Sequence, residues 1–162
     1  MTVDRRMLIL GAPALAALGM ASAARSAAPP ADLHPGRERV QGIGGLFFRS
    51  RDPNGLAQWY QRHLGIDPVP ADYQHPVWQQ EAGPTVFNPF PLDTKYFGSL
   101  QQAWMVNFRV RHLDAMVAQL RAENIAVEVD AQHYPNGRFA RLHDPEGNPI
   151  ELWEPMIPAA VP

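Results

Sequence analysis

Few residues in this chain have the type and spacing that nucleophilic catalysis requires. The sequence contains no cysteine, which excludes a thiolate nucleophile, a thiolate metal site and a disulfide scaffold. Ser50 and Ser99 are the serines beyond residue 28, and neither stands in the Gly-x-Ser-x-Gly pattern of hydrolases. Lys95 is the single lysine and lies in no recognisable motif. Nucleophilic chemistry is therefore not the expected function.

Acid–base and metal chemistry have a small set of candidate residues. Glu151 and Glu154 lie in one candidate strand, but their spacing of three directs them to opposite faces, so they do not form a glycosidase-like pair. The histidines lie in the linker, at helix ends, in loops and beside a turn: His34, His63, His75, His112, His133 and His143. Histidines in such places are more often solvated or capping residues than ligands.

Length and charge bound the class of protein. A chain of 162 residues predicts one domain, and 17 prolines favour a β-rich or loop-rich architecture over a helix bundle. The formal net charge is −2, with no basic run that would follow phosphates. We therefore expect no nucleic-acid partner.

Residues 1–28 predict an export signal. Arg5-Arg6 precedes an apolar stretch of about fifteen residues and then small residues, the order typical of a secretory signal. The pair resembles the twin-arginine motif, with Asp4 where serine or threonine is usual, and implies a periplasmic or secreted protein. The stretch is shorter than the ~20 residues of a spanning helix, so we expect no stable membrane insertion after cleavage. An uncleaved tether is the alternative; residues 29–39 are predicted to be a linker.

The remaining chain repeats one pattern. Phe48-Arg49-Ser50-Arg51 recurs as Phe108-Arg109-Val110-Arg111, and each copy ends an apolar run and precedes a helical pattern. The first helix is predicted to start after Asp52 and to end at Gly65. The second is predicted from Leu113 to near Asn124, with poorer capping.

Short extended segments follow each predicted helix. Residues 125–129, 138–143 and 150–154 are candidate strands, with a strong turn at 144–149, and weaker equivalents lie at 68–80 and 85–90. The pattern predicts an α+β fold of two tandem βαβββ units within residues 40–155, followed by a tail at 156–162.

This organisation resembles the vicinal oxygen chelate superfamily of glyoxalases, bleomycin- and fosfomycin-resistance proteins and extradiol dioxygenases. The motifs that carry the resemblance are Phe47–Pro53, Trp59-Tyr60, His63–Gly65, Val106–Val110 and Asp144–Pro155. The resemblance implies a single glyoxalase-like domain with a cup-shaped sheet, and it leaves a homodimer open.

The resemblance also indicates which positions would hold a metal ion. The superfamily's four ligand positions fall on Gly45, Phe87, Met105 and Glu151, of which Glu151 alone suits a divalent metal. We therefore expect no metal cofactor. The alternative is a divergent metal-dependent lyase or dioxygenase that combines Glu151 with a loop histidine, either His75, His143 or His133.

The expected function is binding of a small organic molecule in the cup. Strand alternation directs Met105, Asn107 and Arg109 into the cup and Val106, Phe108 and Val110 toward the helices. The predicted ligand-binding residues are Glu151, Asn107, Arg109, Phe47, Phe87, Met105 and Trp153. The alternative is a filled core in an interaction module, with Asn107 or Arg109 as a structural partner of Glu151.

One aromatic segment has two interpretations. Residues 87–98, called the aromatic segment below, contain Phe87, Phe90, Tyr96 and Phe97. The segment is predicted either to cover the cup, with Asp93, Tyr96 and Phe97 on a ligand, or to pack as an arm on the domain or a second subunit.

Overall fold

The computed structural model describes Gly36 and residues 38–156. The predicted export signal and most of the predicted linker and tail lie outside this part. The chain divides at Gly44, and residues 38–44, in the first unit, contain no helix or strand. All the described helices and strands lie in the second unit, which begins at Gly45.

Helix α1, Pro53–Leu64, begins and ends where the sequence predicts. The Asp52 carboxylate accepts a hydrogen bond from the Gly55 amide at 3.0 Å, and proline occupies the first helical position. Gly65 ends the helix in the left-handed region, at φ 69°. A residue without a Cβ adopts this conformation at low cost, so Gly65 is a favourable cap.

Helix α2, Leu113–Ala122, is capped by a residue distant in sequence. His112 makes no side-chain cap, as the sequence predicts. Instead the Glu154 carboxylate accepts from the Leu113 amide at 2.8 Å, and a carboxylate at this end also suits the helix dipole. Neither helix is long and apolar enough to cross a membrane, and the described chain contains no other helix.

The described chain forms a sheet of four strands in the order β1-β4-β3-β2. They are β1 Val106–Arg109, β2 Glu128–Val129, β3 Gly137–His143 and β4 Pro149–Pro155. Strand β4 pairs in parallel with β1 and antiparallel with β3, so the last strand lies inside the sheet. With α2 between β1 and β2, this half forms the predicted βαβββ unit, and the described chain has an α+β fold.

The core lies between the helices and one face of the sheet. Strand alternation sends Ile150 and Leu152 of β4 to this face, where they are fully buried against Leu113 and Leu120 of α2. Val106, Phe108 and Val110 pack on the same cluster, as predicted. The opposite face of the sheet is left to the side chains at the alternate positions.

The first half does not form the predicted strands. Within the described chain, residues 45–52 and 65–105 contain no strand, although α1 is present between them. Phe47 and Phe87 are 93% and 89% exposed, so neither packs on a sheet. Glycine at 83 and prolines at 84, 89 and 91 interrupt this region, and a proline has no amide to donate to a β-ladder.

The turn between β3 and β4 connects the sheet to α1. Buried Asp144 accepts hydrogen bonds from the Tyr60 hydroxyl at 3.0 Å and from the amides of Glu146 and Asn148, each at 2.9 Å. The Glu146 carboxylate then accepts from the amides of Arg51 and Asp52 just before α1. The Asp-Pro-Glu-Gly-Asn-Pro motif therefore positions the first helix on the sheet.

We expect Glu146→Gln to change how stability depends on acid. The amides of Asp52 and Arg51 lower the pKa of Glu146 from its usual 4.5. Because folding favours the ionised form, the carboxylate stabilises the fold above its unfolded-state pKa, and this contribution disappears as the pH falls through the lower folded-state pKa. Urea unfolding from about pH 7 to about pH 3 should show a stability difference between wild type and variant that shrinks in acid. A difference that stays constant would contradict this.

Candidate functional site

A row of polar side chains crosses the sheet on the face opposite the helices. Asn107 of β1 lies beside Glu151 of β4, and Glu151 lies beside Arg141 of β3. Side chains at matched positions of neighbouring strands point to the same side, so the three meet. Strand alternation placed Asn107 on this face and the resemblance placed Glu151 there, and in the structure the two lie together.

Glu151 is buried and fully paired. The residue is 4% exposed, and one carboxylate oxygen, Oε2, accepts from the Asn107 side-chain amide at 2.7 Å. The other, Oε1, accepts from the Tyr96 hydroxyl at 2.7 Å and from the Arg141 guanidinium at 3.3 Å. A buried carboxylate is tolerated when charge and hydrogen bonds compensate for lost water, and here both do.

Tyr96 brings the aromatic segment onto this site. The Arg141 guanidinium carbon lies 4.1 Å from the centroid of the Tyr96 ring, a cation–π arrangement. Phe90 stacks on the same ring at 4.9 Å between centroids, and Phe97 meets both rings edge-on. Burial and then the bond to Glu151 raise the pKa of the Tyr96 hydroxyl, which keeps it protonated as a donor.

A cleft of about 230 Å³ opens beside Glu151. Phe139 forms one wall; its ring is stacked on Trp153 at 6.2 Å and meets Tyr134 edge-on at 5.6 Å. The Asp130 carboxylate accepts from the Tyr134 hydroxyl at 3.0 Å and fixes that ring. We call this space the Glu151 cleft; it is lined by Tyr96, Asp130, Tyr134, Asn136, Phe139, Arg141 and Glu151.

The other predicted site residues lie elsewhere. The Arg109 guanidinium donates to the Glu81 carbonyl at 2.6 Å and does not contact Glu151. Met105 is half-buried and does not line the cleft, and Phe47 and Phe87 are exposed. Trp153 is buried behind Phe139, where its indole donates to the Asn136 carbonyl at 2.8 Å. The suggestion that Arg109 is the structural partner of Glu151 is therefore wrong. Asn107, the other suggested partner, does donate a hydrogen bond to Glu151.

Two charged residues that line the cleft, Arg141 and Asp130, were missed by sequence reasoning, and only the first of them contacts Glu151. A hairpin pairs residues symmetrically about its turn, so the 144–149 turn pairs His143 with Pro149 and Arg141 with Glu151. This hairpin register was the signal in the sequence that could have identified Arg141 as a partner of Glu151. Tyr96 was named from the aromatic segment as a covering residue, and it lies against Glu151.

The residues present do not fit the divalent metal that the resemblance implies. Both Glu151 oxygens already accept hydrogen bonds, and one faces the cationic Arg141. His75 pairs with Asp72 on the surface, and His133 and His143 are also exposed. In the described part of the chain, no group of three histidine or carboxylate side chains is arranged to hold a metal ion. We therefore assign no step to a metal.

Comparison with protein families gives a match over most of the described chain. The family model described as a glyoxalase-like domain matches residues 45–153, about two thirds of the chain. This range contains α1, α2, all four strands and the residues of the Glu151 cleft. A comparison with curated proteins gives no match.

Several solved structures are similar over part of the chain. A glyoxalase/bleomycin resistance protein from Streptomyces sp. CB03234 is 31% identical over 33% of this chain and 46% of its own, with a TM-score of 0.29. A glyoxalase family protein from Enterococcus faecalis is 27% identical over 31% and 40%, with a TM-score of 0.28. The chain thus spans less than half of either protein.

A longer match is TnmS3, an antibiotic binding protein from Streptomyces sp. CB03234. It is 25% identical over 65% of this chain and 88% of its own, with a TM-score of 0.42. All three TM-scores are below 0.5, so the assignment of the family rests on the match of residues 45–153.

Proposed function

The chain belongs to the glyoxalase-like domain family, and we propose that it binds a small organic molecule in the Glu151 cleft without a metal ion. The observation that carries the proposal is a buried, fully paired carboxylate at the edge of an aromatic-walled cleft. Ligand sites commonly combine apolar walls with a few fixed polar groups. Glu151 and Arg141 are the polar groups, while Tyr96, Tyr134 and Phe139 form the walls.

The size of the cleft limits the size of the ligand. A cavity of about 150 Å³ lined by apolar side chains holds benzene. The Glu151 cleft, at about 230 Å³, therefore accommodates a substituted single ring. The Arg141 side chain is 42% exposed, so its guanidinium is within reach of a ligand from solvent even though it also contacts Glu151.

Export remains part of the proposal. The support is the sequence of residues 1–28, in which Arg5-Arg6 is followed by an apolar stretch and small residues. These residues lie outside the described structure. A homodimer also stays a prediction.

We expect that some single-ring aromatic acids, phenols or amines bind to the protein and stabilise it. A ligand at a hundred times its dissociation constant raises the free energy of unfolding by roughly 2.7 kcal/mol, which a thermal-shift screen detects. Arg141→Gln should weaken binding of the most strongly stabilising compound by about tenfold or more, because the substitution removes a charge-assisted contact.

Arg138→Gln is the matched control. Arg138 lies on the same strand as Arg141 but pairs with Asp114 at 2.9 Å, away from the cleft. Equal losses in the two variants, or no stabilising compound, would contradict the proposal. So would a stoichiometric divalent metal in the purified protein that disappears in Glu151→Gln.

A further inference from the structure

The Tyr96 side chain enters the candidate site in the way that a bound aromatic molecule would. Its hydroxyl donates to Glu151 at 2.7 Å, and the Arg141 guanidinium lies 4.1 Å from its ring centroid. Phe90 stacks on the same ring, with 4.9 Å between the centroids. These are the contacts that recognise a planar, electron-rich ring with a hydrogen-bond donor.

We propose that Tyr96 is an internal occupant of the ligand position, and that the ligand is a hydroxyl-bearing aromatic compound that displaces it. This inference rests on the proposed function and adds the chemical class of the ligand. The ligand hydroxyl takes the place of the Tyr96 hydroxyl on Glu151, and its ring takes the place of the Tyr96 ring under Arg141.

The attachment of the aromatic segment is consistent with such an exchange. Tyr96 lies on a segment without helix or strand, and the residue is 36% exposed. Within the described chain, the backbone hydrogen bonds of residues 91–98 are local, from Thr94 to Pro91 and from Gly98 to Lys95. The segment can therefore lift from the site without breaking a backbone ladder to the sheet, and only the contacts of its side chains are lost.

The space gained on displacement favours a ligand larger than tyrosine's own ring. Tyr96 is itself a wall of the Glu151 cleft, so its departure joins the volume of its ring to the existing 230 Å³ or so. A phenolic ring seated against Glu151 would then extend toward Phe139 and Tyr134. Before displacement, the ligand competes with Tyr96, and its apparent affinity falls with the fraction of sites that are closed.

Calorimetric titration with para-cresol and toluene tests the proposal. The two probes share a methyl-substituted ring and differ in the hydroxyl. We expect Tyr96→Ala to bind para-cresol at least tenfold more tightly than wild type, because the competitor is gone. We also expect toluene to bind the variant at least tenfold more weakly than para-cresol. Tyr73→Ala, which alters a fully exposed tyrosine, should leave both affinities unchanged.

If circular dichroism shows that the alanine variant has lost helix content, Tyr96→Phe serves as the second variant. It keeps the ring but not the hydroxyl, so para-cresol should bind it more tightly than wild type, by a smaller factor. Para-cresol binding no tighter in the Tyr96 variants than in wild type, or toluene binding as well as para-cresol, would overturn the inference. If these compounds bind wild type and variants equally, the proposed function stands and the displacement is wrong. If neither these probes nor the wider set bind any of the proteins, both fail.

Discussion

Replacing Asp144 with alanine is expected to lower the free energy of unfolding by about 3–5 kcal/mol. Asp144 is 5% exposed, and its carboxylate accepts hydrogen bonds from the Tyr60 hydroxyl, the Asn148 side chain and two backbone amides. Removing the acceptor leaves the buried Tyr60 hydroxyl and the half-buried groups of Glu146 and Asn148 without their partner. Each buried donor left without a partner costs about 1–3 kcal/mol.

The loss extends beyond the turn itself. Asp144 shapes the loop that presents Glu146 to the amides at the start of α1. It also holds Tyr60, whose pKa is raised by burial and further by the neighbouring carboxylate. The variant therefore weakens the attachment of α1 to the sheet as well as the conformation of the turn.

Urea unfolding measures this effect, with two controls. Tyr60→Phe removes one of the hydrogen bonds and should cost about 1 kcal/mol. Asp93→Ala alters an exposed aspartate in the aromatic segment and should change stability by less than about 0.5 kcal/mol. A loss in Asp144→Ala no greater than that in Tyr60→Phe would show that the backbone contacts of Asp144 contribute little.

The second large effect is expected at Glu151. Glu151→Leu should lower the free energy of unfolding by about 2–4 kcal/mol, because it leaves Asn107, Tyr96 and the charge of Arg141 without their acceptor. The value lies toward the lower end of the range for buried ion pairs because the Arg141 side chain is 42% exposed and keeps part of its hydration. The variant should also lose binding of any compound found in the thermal-shift screen.

A double-mutant cycle with Arg141→Leu isolates the pair. Once the carboxylate is gone, removing the guanidinium should recover part of the stability, because an unpaired charge beside apolar groups is removed. The double variant should therefore be more stable than the sum of the single losses predicts, by about 1 kcal/mol or more. Strictly additive losses would mean that Glu151 and Arg141 do not interact energetically.

Local signals predicted the ends of α1 and the two faces of β1. Asp52, Pro53 and Gly65 marked the ends of α1, because capping depends on a few neighbouring residues. Alternation in β1 placed Asn107 on one face and Val106 and Phe108 on the other, as the structure has them. These properties are set within a single element.

The contacts that the sequence did not predict, and the predicted strands that did not form, depend on pairing between different segments. Arg141 reaches Glu151 through the hairpin register, and Glu154 caps α2 from another strand. The predicted strands around Phe47 and Phe87 needed pairing strands, and in the described chain those segments have none. Apolar residue type predicted burial there, but a strand also requires a partner for its backbone groups.

The position of β4 has a consequence for the order of folding. Strands β1 and β3 have no contact ladder with each other and both pair with β4, which comes last among the strands. At about 5–20 residues per second, the ribosome completes β1 several seconds before β4. The backbone N–H and C=O groups of β1 have no strand partner during that interval. The unfinished domain is therefore exposed to aggregation and suited to chaperone binding until residues 149–155 emerge.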